Sequence, residues 1–540
     1  MMNDVPHPPW FDTGRPSRQD GVLPFMLERN ASEKPDGECF RFAEGETWSN
    51  AEVLKKTRQF AAELAGHGVN RGDLVIAWMP NGPDIIRTWF ALNYLGAVFV
   101  PLNLDYKGKI LQHAIAETGA RLMVAHPDLI GRLADIEHTQ LELILTTGDY
   151  ATGNPLALEV VQTGLVGNAE IDAPADVNLW DPQMVIFTSG TTGPSKGVLC
   201  PYLHQWKVGQ GSYGYMTSDD VMLIDLPMFH VGGVSPVMAG ITKQAVIVLY
   251  DGFSTTEFWK RIRKHGATTV SGIIGAMAAF LAKAPEEPGE SDNSLRMVTC
   301  MLTEQVIEVA KRYQFSYASG FNMTELSTPL LTELDCAVAG SCGKPRTGCE
   351  CRVVDEHDYE CPPGVIGELV VRVDQPWEVS MGYLNQPGAT AQVWRNGWFH
   401  TGDLVKQDED GNFFFVDRLK DAVRRKGENI SSLEVESEIL SFPAVAEVAV
   451  VGVPSEHGEE EILAVVAAKP DGQIDTKELV EHLVPRMPHY MVPRYIRLVD
   501  QLPKTPTNKI QKYEIRAEGV TEDTWDREAA GITLKRTRLS

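Results

Sequence analysis

Short apolar runs and amphipathic stretches alternate along the first part of the chain. Residues 73–79 (DLVIAWM) are a near-continuous apolar run, which predicts a strand, and 83–95 carries its apolar positions at helical spacing. A strand at 98–101, a helix at 107–118 and a strand at 120–124 follow in the same rhythm. The rhythm returns with strands at 221–225, 246–250 and 268–271 and a helix at 254–265. Strands buried on both faces and separated by single helices predict parallel α/β layers.

The pattern changes twice. Between 340 and 416 the segments RVVDE, GELVVRV and FFFVDR are strand-like, with PPG and EDGN turns between them. After Arg418 it becomes mixed: a helix at 432–441, strands at 445–451 and 463–468, and a helix at 476–484. The fold class expected is therefore α/β. A large N-terminal domain of parallel α/β sheets with a β-rich subdomain is expected over residues 1–418, and a small α+β C-terminal domain over 422–540. Residues 419–421 are expected to be the junction between them. The length of 540 residues supports the division, because single cores stop growing at about 250–300 residues.

Charge narrows the function. Forty-nine basic against 73 acidic residues give a net charge of −24, which argues against a nucleic-acid or anionic-membrane surface. A site for an anionic nucleotide must then be assembled locally. No apolar run approaches the roughly 18–20 residues of a membrane span, and the N-terminus lacks the basic and apolar regions of a signal peptide. The eight cysteines do not have paired zinc-site spacing. They are expected to be reduced thiols of a cytoplasmic protein.

Candidate chemistry begins at VIFTSGTTGPSKGVL, residues 185–199. Glycine and small hydroxyl residues let backbone N–H groups approach a phosphate, and a lysine adds a point charge. The loop is not a Walker A motif: Lys196 is followed by Gly197, Pro194 lies between Gly193 and the lysine, and the next residues are strand-like. Downstream stand FNMTELS (321–327), WFHTGDL (398–404), FVDRLK (415–420) and PKTPTNKIQK (503–512). These five motifs, in this order, resemble those of the adenylate-forming superfamily, which comprises acyl-CoA synthetases, carrier-protein adenylation domains and firefly-type luciferases. The resemblance extends over essentially the whole chain. The string DAVRRKGENISSLEVE (421–436), and MVTCMLTEQ where relatives have a glycine-rich stretch, resemble the crotonobetaine/carnitine-CoA ligase branch and related organic-acid ligases.

The resemblance implies an AMP-forming acyl-CoA ligase that uses ATP, Mg²⁺ and coenzyme A on a small-molecule carboxylic acid. It implies an ATP site made of Thr188, Ser189, Gly190, Thr191, Thr192 and Lys196 at the phosphates, with Phe321 and Asn322 at the base. Thr324 would contact phosphate, Glu325 would hold the metal, Asp403 would meet the ribose hydroxyls, and Arg418 would also touch the nucleotide. Lys509 would reach the attacking carboxylate and the α-phosphate, and Lys420 would be the pivot. Gly427 matches a loop that lines the approach of the CoA thiol. His230, in LPMFHVGG, matches a residue beside the acyl and pantetheine tunnel, a core histidine satisfied by backbone being the competing reading. Val231, Gly232, Ser271, Gly275, Ser319, Gly320 and Asn322 are expected around the acyl group.

Glu325 suits a hard cation, and the carboxylate of Asp403 offers two acceptors to vicinal hydroxyls. Phe321 keeps a stacking surface without the family's usual hydroxyl, and Asn322 replaces a glycine. The competing functions are adenylation for a separate carrier protein and a non-catalytic acyl or nucleotide sensor. A homodimer is compatible with the resemblance.

Overall fold

The computed structural model describes residues 8, 10–106, 108–137, 140–150, 158–163, 169–188, 195–273, 275–283, 290–419, 421, 423–425, 428–430, 432–454, 460–470, 472–487, 491–504 and 510–532. The apolar runs of the first part do form parallel strands, and they sort into two sheets. The seven-stranded sheet runs Glu159–Gln162, Leu143–Thr146, Leu122–Ala125, Leu74–Trp78, Val98–Pro101, Pro182–Thr188 and Lys196–Pro201, parallel until its final hairpin. The five-stranded sheet runs Thr269–Val270, Val221–Ile224, Val246–Leu249, Glu38–Phe42 and Thr47–Ser49, again parallel except for the last pair.

One core joins the two. Phe40, Ile224 and Ile247 of the smaller sheet share a cluster with Val75, Phe99 and Ile186 of the larger one, through Phe90, Leu203 and Val237 on helices Pro83–Tyr94, Tyr202–Tyr213 and Val231–Lys243. The helices are therefore buried between sheets, which explains why Tyr202–Tyr213 has no exposed face despite a polar sequence.

A helix expected to begin at 254 begins at Phe258. Ser254, Thr255 and Thr256 prefer local turn bonding: the Ser254 carbonyl accepts from Phe258 N, and its Oγ bonds Thr256 Oγ1 at 3.2 Å. The β-rich sheet also starts earlier than its composition suggests. Its order is Met297–Cys300, Ser316–Phe321, Leu330–Leu331, Ser341–Pro345, Phe413–Arg418, Trp398–Gln407, Gly367–Val373 and Cys349–Val354, with Trp394–Arg395 on the side. The first pair is parallel and the rest antiparallel. The strand Ser316–Phe321 thus carries the chain directly from the α/β layers into the β-rich part.

The C-terminal part has its own sheet, Val445–Pro454, Glu460–Ala468, Tyr495–Val499 and Trp525–Asp526, covered by helices Ser432–Leu440, Thr476–Leu483 and Lys512–Glu518. Asp475 caps the second helix, accepting from Lys477 N at 2.8 Å and Glu478 N at 3.1 Å. Two apolar clusters, one on each face of the sheet, are made entirely of residues after Leu419. Among the described residues, no helix is long and apolar enough to cross a membrane.

Candidate functional site

The candidate loop joins the strands Pro182–Thr188 and Lys196–Pro201. Thr188 stands opposite Lys196, and its Oγ1 donates to the Lys196 carbonyl at 3.3 Å. Ser189, Gly190, Thr191 and Thr192 lie outside the described residues. The run after Lys196 is a strand, as the rejection of Walker A requires.

A third segment is stitched to that strand. Leu199 N donates to the Gly382 carbonyl at 3.0 Å, and Met381 N and Leu384 N donate to the Leu199 and Gly197 carbonyls at 2.8 Å each. One residue upstream, Ser380 N donates to the Glu325 carbonyl at 3.0 Å. The segment thereby bridges the lysine strand to the turn that carries Thr324 and Glu325. Its Tyr383 does the same with its side chain: the hydroxyl donates to Glu325 Oε1 at 2.8 Å, while Lys196 Nζ lies 4.8 Å from the ring centroid.

Glu325 is buried. Desolvation pushes its carboxyl above the usual range, opposed by the Tyr383 hydrogen bond and by the charges of Arg418 and Lys196. An oxygen ligand whose negative charge is under-compensated, close to a lysine, fits a hard cation shared with phosphate oxygens. Thr324 is half-buried on the same turn. Phe321 is buried among Leu326, Leu330 and Phe399 of the β-rich core, so its ring is fixed in place.

Asp403 and Arg418 face each other in register on antiparallel strands, and Arg418 Nε reaches Asp403 Oδ1 at 2.8 Å. Asp403 is buried whereas the arginine side chain is 45% exposed. The pair therefore presents a fixed carboxylate and a guanidinium that can move. The backbone entering Asp403 is held by Glu368, whose Oε1 accepts from Gly402 N at 2.9 Å. Its Oε2 binds His400 Nδ1 at 2.9 Å and Arg395 at 3.0 Å. Gly402 has φ +70°, a left-handed conformation that explains the glycine in TGD.

Around the expected acyl pocket, His230 is half-buried beside Phe229, with ring centroids 4.7 Å apart, and precedes the helix Val231–Lys243. Val231 and Gly232 open that helix. At Gly233 an added Cβ would come 2.1 Å from the Pro227 carbonyl oxygen, so the close approach of helix to loop requires glycine. Ser271 is buried, its carbonyl accepting from the Tyr213 hydroxyl at 2.5 Å, and Gly275 opens the helix Gly275–Ala282. Ser319 and Gly320 lie in the strand Ser316–Phe321, and Asn322 follows it. Lys420, Gly427 and Lys509 lie outside the described residues.

Sequence reasoning missed Tyr383, Glu368 and His204. His204 is buried, and its Nε2 donates to the Leu326 carbonyl at 3.0 Å, one residue from Glu325. Desolvation pushes its imidazole down to about 4. The signals for Tyr383 and Glu368 were single residues, GY before the WFHTGDL motif and an isolated Glu in GELVVRV.

Residues 27–384 match the model of the AMP-binding enzyme family, and 434–509 that of the AMP-binding enzyme C-terminal domain. The chain is 32% identical over 497 residues to the feruloyl-CoA synthase of an Amycolatopsis species, covering 90% of this chain and 97% of that one. It is 28% identical over 506 residues to the 2-succinylbenzoate–CoA ligase of Bacillus mycoides, covering 92% and 98%. The solved structure of O-succinylbenzoate coenzyme A synthetase from Bacillus subtilis, in complex with ATP and magnesium ion, superimposes with a TM-score of 0.75. It is 24% identical, and the match covers 90% of this chain and 98% of that one. At that identity the likeness establishes the fold.

Proposed function

The chain belongs to the AMP-binding enzyme family, and from that premise we propose that it activates an aromatic carboxylic acid as its CoA thioester. It is an ATP-dependent, AMP-forming acid–thiol ligase that passes through an acyl-adenylate. In the first half-reaction the acid's carboxylate attacks the α-phosphorus of ATP and pyrophosphate leaves. In the second, the CoA sulfur attacks the acyl carbonyl and AMP leaves. The aromatic class rests on the relatives, which are named for feruloyl and 2-succinylbenzoyl groups. Those names also favour CoA over a carrier protein as the acceptor.

One observation carries the reading of the site. Tyr383 ties Glu325 to Lys196, so that an anion-binding cation and a metal-binding carboxylate share one support. Two anions must meet at the α-phosphorus, which makes charge cancellation and alignment the main tasks. We assign the β- and γ-phosphates to the loop 188–196 and to Lys196. Glu325 would hold Mg²⁺, which when bound neutralises phosphate charge; Thr324 donates to the phosphate beside it. Asp403 accepts from the ribose hydroxyls, and Arg418 turns from Asp403 toward the nucleotide. Phe321 and Asn322 adjoin the base.

Lys509 is assigned to the α-phosphate and the attacking carboxylate. Lys420 is the pivot of the 419–421 hinge between domains 1–418 and 422–540, and Gly427 adjoins the CoA thiol. His230, Val231, Gly232, Ser271, Gly275, Ser319 and Gly320 are assigned to the acyl pocket. The eight free cysteines support a reducing, cytoplasmic setting.

The test resolves AMP from ADP over a panel of aromatic, aliphatic and carnitine-like acids, with and without CoA. AMP released with an aromatic acid, and much faster with CoA, is the expected result. ADP would overturn the loop assignment, and CoA-independent AMP would point to a carrier protein. AMP with aliphatic acids alone would remove the aromatic class.

A further inference from the structure

Several strands end side by side on one edge of the structure. Val246–Leu249, Val221–Ile224 and Thr269–Val270 are parallel neighbours, with Leu223 opposite both Val248 and Val270. Beyond them Ile273 pairs with Cys300, and Cys300 with Ser319. The carboxyl ends therefore present Asp225, Ser271, Met301 and Asn322 in sequence along one edge. Ligands of parallel α/β sheets bind outside such carboxyl ends, and the segments assigned above to the acyl group lie here.

Asp225 is anomalous on this edge. It is 3% exposed, and among the described residues one of its carboxylate oxygens is engaged: Oδ1 accepts from Ser271 Oγ at 3.3 Å. The Asp225 backbone N–H approaches the same hydroxyl at 3.5 Å. Among the described residues, Oδ2 is buried and has no hydrogen-bond partner. The cation that faces it, Arg261, is engaged elsewhere, donating to the Gly252 carbonyl at 2.6 Å and lying 4.0 Å over the Tyr250 ring. At the other end of the edge, Asn322 Oδ1 is also buried without a partner among the described residues.

Leaving a buried acceptor without a donor is destabilising, and more so for a charged group. Burial pushes the Asp225 carboxyl up to about 6, and in its ionised form it can only accept. Ile224, Val270 and Ile273, close in the chain to Asp225 and Ser271, are buried and apolar, so a donor reaching Oδ2 would act in a low-dielectric setting where a hydrogen bond counts for more than in water. A second carboxylate on the acid would meet a like charge.

We propose that Asp225, held by Ser271, accepts a hydrogen bond from a hydroxyl group on the acid and so determines which acids the enzyme activates. The inference rests on the ligase reading given above, but not on the acid being aromatic. A site built to bind a hydroxyl leaves its own polar group unpaired when the hydroxyl is absent, and such sites discriminate by about 10²-fold or more.

The test compares kcat/KM for AMP release between matched acids with and without a hydroxyl. One pair is 4-hydroxycinnamate and cinnamate; the other is 6-hydroxyhexanoate and hexanoate. The wild-type enzyme should prefer the hydroxylated member of at least one pair by about 10²-fold. Asp225→Leu should reduce that ratio to within about threefold, and the near-isosteric Asp225→Asn should give an intermediate ratio. Unfolding temperature and ATP affinity of both variants separate a folding defect from lost recognition, and the Asn variant keeps the test valid if Leu does not fold.

A preference confined to the aliphatic pair would support Asp225 while removing the aromatic class. Equal turnover within each pair, or a preference that survives Asp225→Leu, would overturn the inference and leave the ligase intact. No turnover of any of the four acids would overturn both.

Discussion

Asp417 and Ser432 are joined across the segment between the β-rich sheet and the C-terminal part. Ser432 N and Oγ donate to the same Asp417 oxygen, at 2.6 Å and 2.7 Å. Asp417 belongs to the last strand of the β-rich sheet, and Ser432 begins the first helix of the C-terminal part. Lys512 extends the contact, donating to Ser432 Oγ at 2.5 Å and pairing with Glu436 at 2.7 Å. The small domain is therefore clasped to the strand that carries Arg418.

The clasp predicts a measurable tether. A hydrogen bond to a buried carboxylate contributes about 1.5–3 kcal/mol. Ser432→Ala removes one of the two donors, and proteolytic cleavage within residues 419–431 should accelerate about tenfold or more. The unfolding of residues 1–418 should be little changed. Cleavage at the wild-type rate would mean that the contact does not restrain this segment.

Tyr383→Phe isolates the support of Glu325. The hydroxyl is the largest of the influences that hold the Glu325 carboxyl down. Without it that pKa rises further, and the group must lose its proton to receive a cation. The acid limb of adenylation, where activity rises with pH, should move to higher pH. At neutral pH the kcat/KM for MgATP should fall by about tenfold. An unmoved acid limb would show that Glu325 does not govern it.

What the sequence revealed followed from local rules. Val98–Pro101 and Val221–Ile224 form strands where near-continuous apolar runs predicted them, because both faces of a parallel sheet are covered. The strand after Lys196 was legible for the same reason. The supporting residues were not. Tyr383 lies on a segment without regular structure, and its two partners, Lys196 and Glu325, come from distant parts of the chain. Glu368 occupies a strand position that resembles an ordinary polar alternation. His204 and Asp225 sit beside apolar residues, and only the packing reveals that one is a buried base and the other a carboxylate with an unused oxygen. Spacing reports which face of an element a residue takes, not what approaches it from another sheet.

His204 should leave a signature in stability against pH. Burial lowers its folded pKa from 6.5 to about 4. Between those values the unfolded chain takes up a proton that the folded chain refuses. The contribution is fully present above about pH 6.5 and is lost as pH falls, amounting to about 3 kcal/mol by pH 4. His204→Gln keeps a donor for the Leu326 carbonyl but cannot titrate. Its stability should therefore decline less than that of the wild type between pH 7 and pH 5, by chemical denaturation. Parallel declines would place the pH sensitivity in other groups.

The buried pair Arg346 and Glu378 separates stability from catalysis. Both side chains are at most 1% exposed and form an ion pair. Arg346 also donates to the Ser327 carbonyl at 3.2 Å and the Thr328 carbonyl at 3.0 Å, just beyond Glu325, while Phe11 covers its guanidinium at 4.4 Å. Thr328 has φ +56°, a conformation that a residue of its kind keeps only when its surroundings impose it. Arg346→Met leaves Glu378 buried without its guanidinium partner, although the Ser327 hydroxyl still donates to it at 3.3 Å, and should cost about 3–5 kcal/mol of stability. Adding Glu378→Leu removes the orphaned charge and should restore much of that loss. Adenylation should not recover with it, because the Ser327 and Thr328 carbonyls still lack their donor and the turn bearing Glu325 is no longer fixed. The measurement is unfolding free energy beside kcat/KM for MgATP in the single and double variants. Recovery of both together would reduce Arg346 to a stability element, whereas stability regained without activity would establish it as the positioning residue of the Glu325 turn.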